Sequence, residues 1–202
     1  MRIIIIILLF TAISSLTNCA SGYKMIAPIS INYVSTNETD NVKLEYKYDL
    51  LDKKYAKKEL KKGVKLVAIK ITNNSDKDLM FGRDATLTYE NGTEIFVIEN
   101  DKVFKTLKQS AASYLWYLLL TPTNLYTIDS NGRQTSTTPI GLIIGPGLAG
   151  VNMIAAHSAN KKFKTEMLEY NINGSIIKKG ETKYGLIGIR AYSFDSLKLK
   201  IE

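Results

Sequence analysis

Between Lys108 and Lys161 the chain carries only two charged side chains, Asp129 and Arg133, and no other feature restricts its fold so strongly. A stretch that long without charge cannot face water along its length as a loop does, so it has to be buried, covered or immersed in an apolar phase. It divides into an apolar arm over residues 110–128, a polar tip over 129–138 and a second apolar arm over 139–156. Lysines lie outside both arms, at Lys105, Lys108, Lys161, Lys162 and Lys164, which is the plan of an antiparallel hairpin inserted over residues 105–164.

Ala111 to Leu120 is apolar all round and built of good helix formers until Thr121-Pro122 ends the run, so the first arm is expected to be helical. The second arm has Gly141, Gly145, Gly147 and Gly150, and helix is expected only from Pro146, which suits a first helical position. The spacing of Gly141 and Gly145 permits close backbone packing. Candidate docking residues are Tyr114, Leu115, Trp116, Leu118, Leu119, Ile143, Ile144 and Leu148. Three occupants stay open for them: the protein's own body, a partner protein, or a bilayer, whose boundary suits Trp116, Tyr114, Tyr117 and Tyr126.

On either side of this hairpin the pattern changes to period two. Val42, Leu44, Tyr46, Tyr48 and Leu50 alternate with Lys43, Glu45, Lys47 and Asp49, the signature of a strand with one wet face. Further strands are expected over 64–72, 84–89, 93–98, 167–172, 175–178, 183–191 and 197–201, with turn chemistry at Asn73-Asn74-Ser75-Asp76, Asn91-Gly92 and Asn173-Gly174. Seven or eight short strands with frequent turns predict a mainly β fold, an immunoglobulin-like antiparallel β-sandwich over 42–202 carrying the apolar, largely helical hairpin. The segments 67–79 and 179–189 resemble strand-turn segments of small bacterial Ig-like accessory domains, a resemblance that implies architecture and no activity.

The N-terminus reads as an export signal. Arg2 precedes an uncharged run from Ile3 to Ile13, then Ser14, Ser15, Leu16, Thr17, Asn18 and the only cysteine, Cys19. This order resembles the type II signal peptide of bacterial lipoproteins, with Leu16-Thr17-Asn18-Cys19 at the place of the lipobox. The resemblance implies removal of residues 1–18 and acylation of Cys19, so that the mature chain meets the bilayer through its acyl chains. Ala20, where an Asp marks inner-membrane retention in that family, points to the outer membrane. Residues 19–41 mix Ser, Gly, Asn, Thr and Pro28 and are expected to form a flexible tether, with order beginning near Asn41.

Composition narrows the chemistry. One Cys and one His exclude a disulfide framework and a Cys/His zinc site, and no cofactor is expected. The formal charge of +8 favours anionic surfaces, and residues 53–62, with six lysines and one glutamate, read as a basic connector or helix with a solvated or leaflet-facing side. Nucleic acid is a poor partner for an exported chain. His157 beside Ser158 is no nucleophile–base pair, and no acidic pair stands out by spacing. The expected function is therefore non-enzymatic: an accessory or scaffold subunit docked on an integral outer-membrane protein of barrel assembly, transport or secretion machinery. The alternative is a ligand-binding domain for glycan or lipid, or a carboxylate-dependent hydrolytic domain of the envelope.

Overall fold

A computed structural model describes residues 19–202; the signal-peptide reading falls on residues 1–18 and lies outside them. The chain separates into two compact units. One comprises residues 19–22 with Gln109–Ala159, and the other Tyr23–Lys108 with Asn160–Glu202. Strand accounts for 32% of the described residues and helix for 31%, so the fold is sheet-rich but mixed rather than mainly β.

In the second unit, strands β1 (Ser35–Thr39), β2 (Val42–Lys47), β3 (Val64–Asn73), β11 (Thr182–Arg190) and β7 (Val97–Ile98) form one antiparallel sheet in the order β1-β2-β3-β11-β7. Strands β12 (Leu197–Ile201), β5 (Ala85–Tyr89) and β6 (Glu94–Ile95) form a second, while β4 (Leu79–Met80) pairs with β10 (Ile176–Ile177). The inward faces of these strands share one core, including Leu44, Ile69, Ile71, Leu87, Ile187 and Leu199. Alternation produces this core in β2, where Val42, Leu44 and Tyr46 are buried and their neighbours are not. The expected turn after β3 forms around buried Asn73, whose side chain donates to Lys77 O and Ile177 O and accepts from the Ser75 N–H and hydroxyl.

β3 departs from alternation because both of its faces are covered. Its longest ladder runs antiparallel to β11 from Val64↔Arg190 to Thr72↔Thr182. Helices α1 (Lys53–Lys62) and α2 (Asn100–Leu107) pack on this sheet. The basic run is thus an ordered helix, with Tyr55 and Glu59 buried, Lys53, Lys57, Lys61 and Lys62 exposed, and Gly63 closing it in the left-handed region at φ 59°. Gly188 of β11 lies under Val103 of α2, and a Cβ there would fall 3.1 Å from Val103 Cγ1.

Two expectations about this unit are corrected. Residues 19–41 are not a free tether: Ser35–Thr39 pairs with β2, and Tyr23 and Ile26 are buried. The cause is the fully buried Glu166 carboxylate, which accepts the Tyr23 hydroxyl at 2.6 Å, Ile26 N–H at 2.9 Å and Ala27 N–H at 2.7 Å. Tyr23, Tyr55 and Phe163 pack ring to ring beside it, with centroids 5.1–5.3 Å apart. Residues 167–172 are not a strand either, because the long helix α3 (Gly141–Glu169) continues through Met167, whose carbonyl accepts from Asn100 Nδ2 at 2.6 Å.

In the first unit the expected hairpin has different local geometry. Ala111–Leu120 is a 3₁₀ helix, and a two-stranded ladder of β8 (Leu125–Ile128) with β9 (Gln134–Thr138) forms the far end. α3 begins at Gly141 and takes Pro146 inside it, not at its first position. Contact with the first arm accounts for the earlier start. Gly141 N–H donates to Thr123 O at 2.9 Å, and a Cβ on Gly141 would collide with the Leu120 and Thr121 carbonyls. One on Gly145 would lie 3.0 Å from Tyr117 O and 2.9 Å from Thr121 Oγ1. The two glycines therefore let backbone meet backbone, and the arms run antiparallel.

Candidate membrane-docking site

α3 is inverted over residues 141–159. Its buried positions are Gly141, Gly145, Ala149, Asn152, Ala156 and Ala159, a stripe of small residues at three- and four-residue spacing. Its large apolar residues point outward: Leu142, Ile143, Ile144, Val151 and Ile154 are exposed, Ile143 at 79% and Ile154 at 73%. At roughly 100° per residue these outward side chains cover about 200° of the helix circumference. A helix folded in water buries its large side chains and exposes small or polar ones, which is the opposite order. α3 is long and apolar enough to cross a membrane, and only 28% of its most apolar 18-residue stretch is buried.

The facing arm repeats this. Leu115, Trp116, Leu118 and Leu119 are exposed, Trp116 at 72%, and they join Ile143 and Ile144 on the surface of the same unit. Leu148 is half-buried. Tyr114 does not belong with them. It is 3% exposed, lies parallel to Tyr117 with centroids 6.5 Å apart, and donates to Gln109 Oε1 at 3.4 Å. Leu142, Val151 and Ile154 were not singled out from the sequence; the helical period of the small stripe, extended past Gly145 to Ala149 and Asn152, identifies them.

Cys19 is held against this hairpin by two buried amides. Gln109 accepts Ser21 N–H at 3.0 Å and donates back to Ser21 O at 2.6 Å, matching both backbone groups of that residue. Asn152 accepts Ala20 N–H at 2.5 Å and turns its amide nitrogen to Leu148 O at 2.8 Å. Cys19 is half-buried, and its sulfur shares a hydrogen bond with the Tyr117 hydroxyl. The polar residues inside an otherwise apolar hairpin thus fix the chain immediately after the acylation candidate.

The charged side chains of the hairpin sit at its tip. Asp129 Oδ1 accepts Asn131 N–H at 2.9 Å and Arg133 N–H at 2.8 Å, closing the turn between β8 and β9. In the sheet unit a cleft of about 460 Å3 is lined by Phe81, Arg83, Phe96, Glu94 and Glu99 among others. Glu94 pairs with Lys200 at 3.3 Å and Glu99 with Lys102 at 3.0 Å. Among the described residues no cluster of His, Cys, Asp and Glu is placed to hold a metal ion. Comparison with protein families, with curated proteins and with solved structures finds no match.

Proposed function

We infer that this chain is a non-enzymatic, lipid-anchored protein of the outer membrane, acylated on Cys19, that serves as an accessory or scaffold subunit of a membrane protein complex. Its sheet unit is read as an immunoglobulin-like sandwich, supported by the common core of the β1-β2-β3-β11-β7 and β12-β5-β6 sheets. The hairpin is its docking element. One observation carries this reading: a helix that buries Gly141, Gly145, Ala149 and Ala156 and exposes Ile143, Ile144, Val151 and Ile154 is built for apolar surroundings, not for water.

The anchor and the docking element belong to one unit, since Gln109 and Asn152 tie residues 20–21 to the hairpin. Acyl chains on Cys19 would leave the protein beside its most apolar surface, and several such chains hold a protein to a bilayer durably. A subunit so held meets membrane proteins at high effective concentration.

The test is a mass measurement of the native N-terminus combined with purification in mild detergent. The expected result is a chain beginning at an acylated Cys19 that brings an integral membrane protein with it in fixed ratio, and loses it when residues 110–156 are deleted. An unmodified thiol in freely soluble material, or a partner list unchanged by the deletion, overturns the reading.

A further inference from the structure

We propose that the outward face of the hairpin is occupied by lipid acyl chains, so that residues 111–123 and 141–156 are immersed in the bilayer that holds Cys19. The inference rests on the docking role assigned to the hairpin above and adds its surroundings: immersed among lipids, the hairpin meets an integral partner inside the bilayer, and lipid covers the rest of its face.

Three observations select lipid over a protein as the cover of this face as a whole. A partner covers one face, whereas the exposed apolar side chains of α3 sweep about 200° and those of the first arm add Trp116 and Leu119. Charge is also missing from both arms, and a protein interface that must stay soluble before assembly carries a charged or polar rim. The backbone, finally, is paired within the hairpin: Thr121 N–H donates to Leu118 O, Thr123 N–H to Leu120 O and Gly141 N–H to Thr123 O, each at 2.9–3.0 Å. Helical arms with internal pairing are what hydrocarbon tolerates.

Dimensions agree. Sixteen residues of helix from Gly141 to Ala156 span about 24 Å, close to the apolar layer of roughly 25 Å around outer-membrane barrels. Exposed polar side chains resume at His157 and Ser158 on one side of this span. On the other lies the β8–β9 ladder, whose free edges and Gln134, Thr135, Ser136, Thr137 and Thr138 side chains need polar surroundings. Small residues facing inward and large ones outward are then the expected order, because close packing holds two arms together where no water drives them together.

Trp116 is the only tryptophan, so its fluorescence reports the hairpin alone. The full mature chain with Cys19→Ala is transferred from detergent into phosphatidylethanolamine–phosphatidylglycerol vesicles, with and without bromine atoms along the acyl chains. The expected result is a blue-shifted emission quenched by the brominated lipid. Ile143→Lys/Ile154→Lys in the same background should bind the vesicles at least tenfold more weakly, with an unchanged circular dichroism spectrum. Unquenched, water-like emission from a folded chain overturns the proposal, as does equal binding by the lysine variant. Because Cys19 is absent from the assay, a negative result leaves acylation and complex membership standing, and a failure of acylation leaves this result standing.

Discussion

The Tyr23 hydroxyl donates to Glu166 Oε2 at 2.6 Å across 143 positions of sequence, and the same carboxylate collects the amides of Ile26 and Ala27. Burial and the neighbouring carboxylate push the Tyr23 phenol far above its ordinary range, so it remains a donor at every pH the protein meets. Glu166→Ala strips the acceptor from three donors, two of them buried, and should cost about 3 kcal/mol or more, seen as a lower melting temperature. The exposed Lys24 beside them should become the first tryptic site; an unchanged digestion pattern would show that something else holds residues 23–27.

Gly188→Ala should destabilise the sheet unit by about 1–3 kcal/mol, because the new methyl enters the space of Val103. Val103→Ala vacates that space. In a double-mutant cycle followed by chemical denaturation, the pair should lose less than the sum of the single variants, and simple additivity would refute the contact.

Gly145→Leu should separate the two arms of the hairpin, since its side chain has only the Tyr117 carbonyl and the Thr121 hydroxyl to enter. The expected signs are a changed near-ultraviolet signal from Trp116, faster chymotryptic cleavage between Tyr114 and Leu120, and unaltered melting of the sheet unit.

Glu59 supplies a pH dependence. Desolvation pushes its buried carboxyl above the usual range, opposed by the Leu66 N–H at 2.7 Å and by Lys65 at 4.0 Å. A carboxyl raised on folding binds more protons folded than unfolded, so its stabilising share is complete below the ordinary carboxylate pKa and is lost as pH rises through the folded value. The stability of the parent minus that of Glu59→Gln should therefore fall as pH rises above the ordinary carboxylate range. A flat difference would mean that Lys65 and Leu66 fully offset the burial.

Legibility in the sequence followed periodicity. β2 was readable because one face is wet, and β5, β11 and β12 were readable through their bounding turns. The helices on the sheet were harder to read. α2 is eight residues long and its amphipathic face is shared among Asn100, Val103 and Leu107, while residues 167–172 mimic a short strand where α3 in fact ends. Glu166 gave no local signal at all, since its partners are Tyr23, Ile26 and Ala27, and a buried carboxylate between Thr165 and Met167 looks like any exposed one. For the hairpin, the missing charges marked the element and Gly141 with Gly145 marked the contact between its arms. The direction of each side chain is set by the fold and not by local pattern: it takes Tyr114 off the surface and puts Val151 and Ile154 on it.

The grip of Glu166 on Tyr23 also sets how far the protein can reach. A loose segment from residue 19 to residue 41 would let a domain explore some 25 Å around its point of attachment. Four residues from Cys19 to Tyr23 allow at most about 14 Å even when drawn straight. If Cys19 is acylated as proposed, this leaves little slack: the protein would drift sideways with its lipids, search in two dimensions, and engage only what lies in or immediately against the same sheet of membrane.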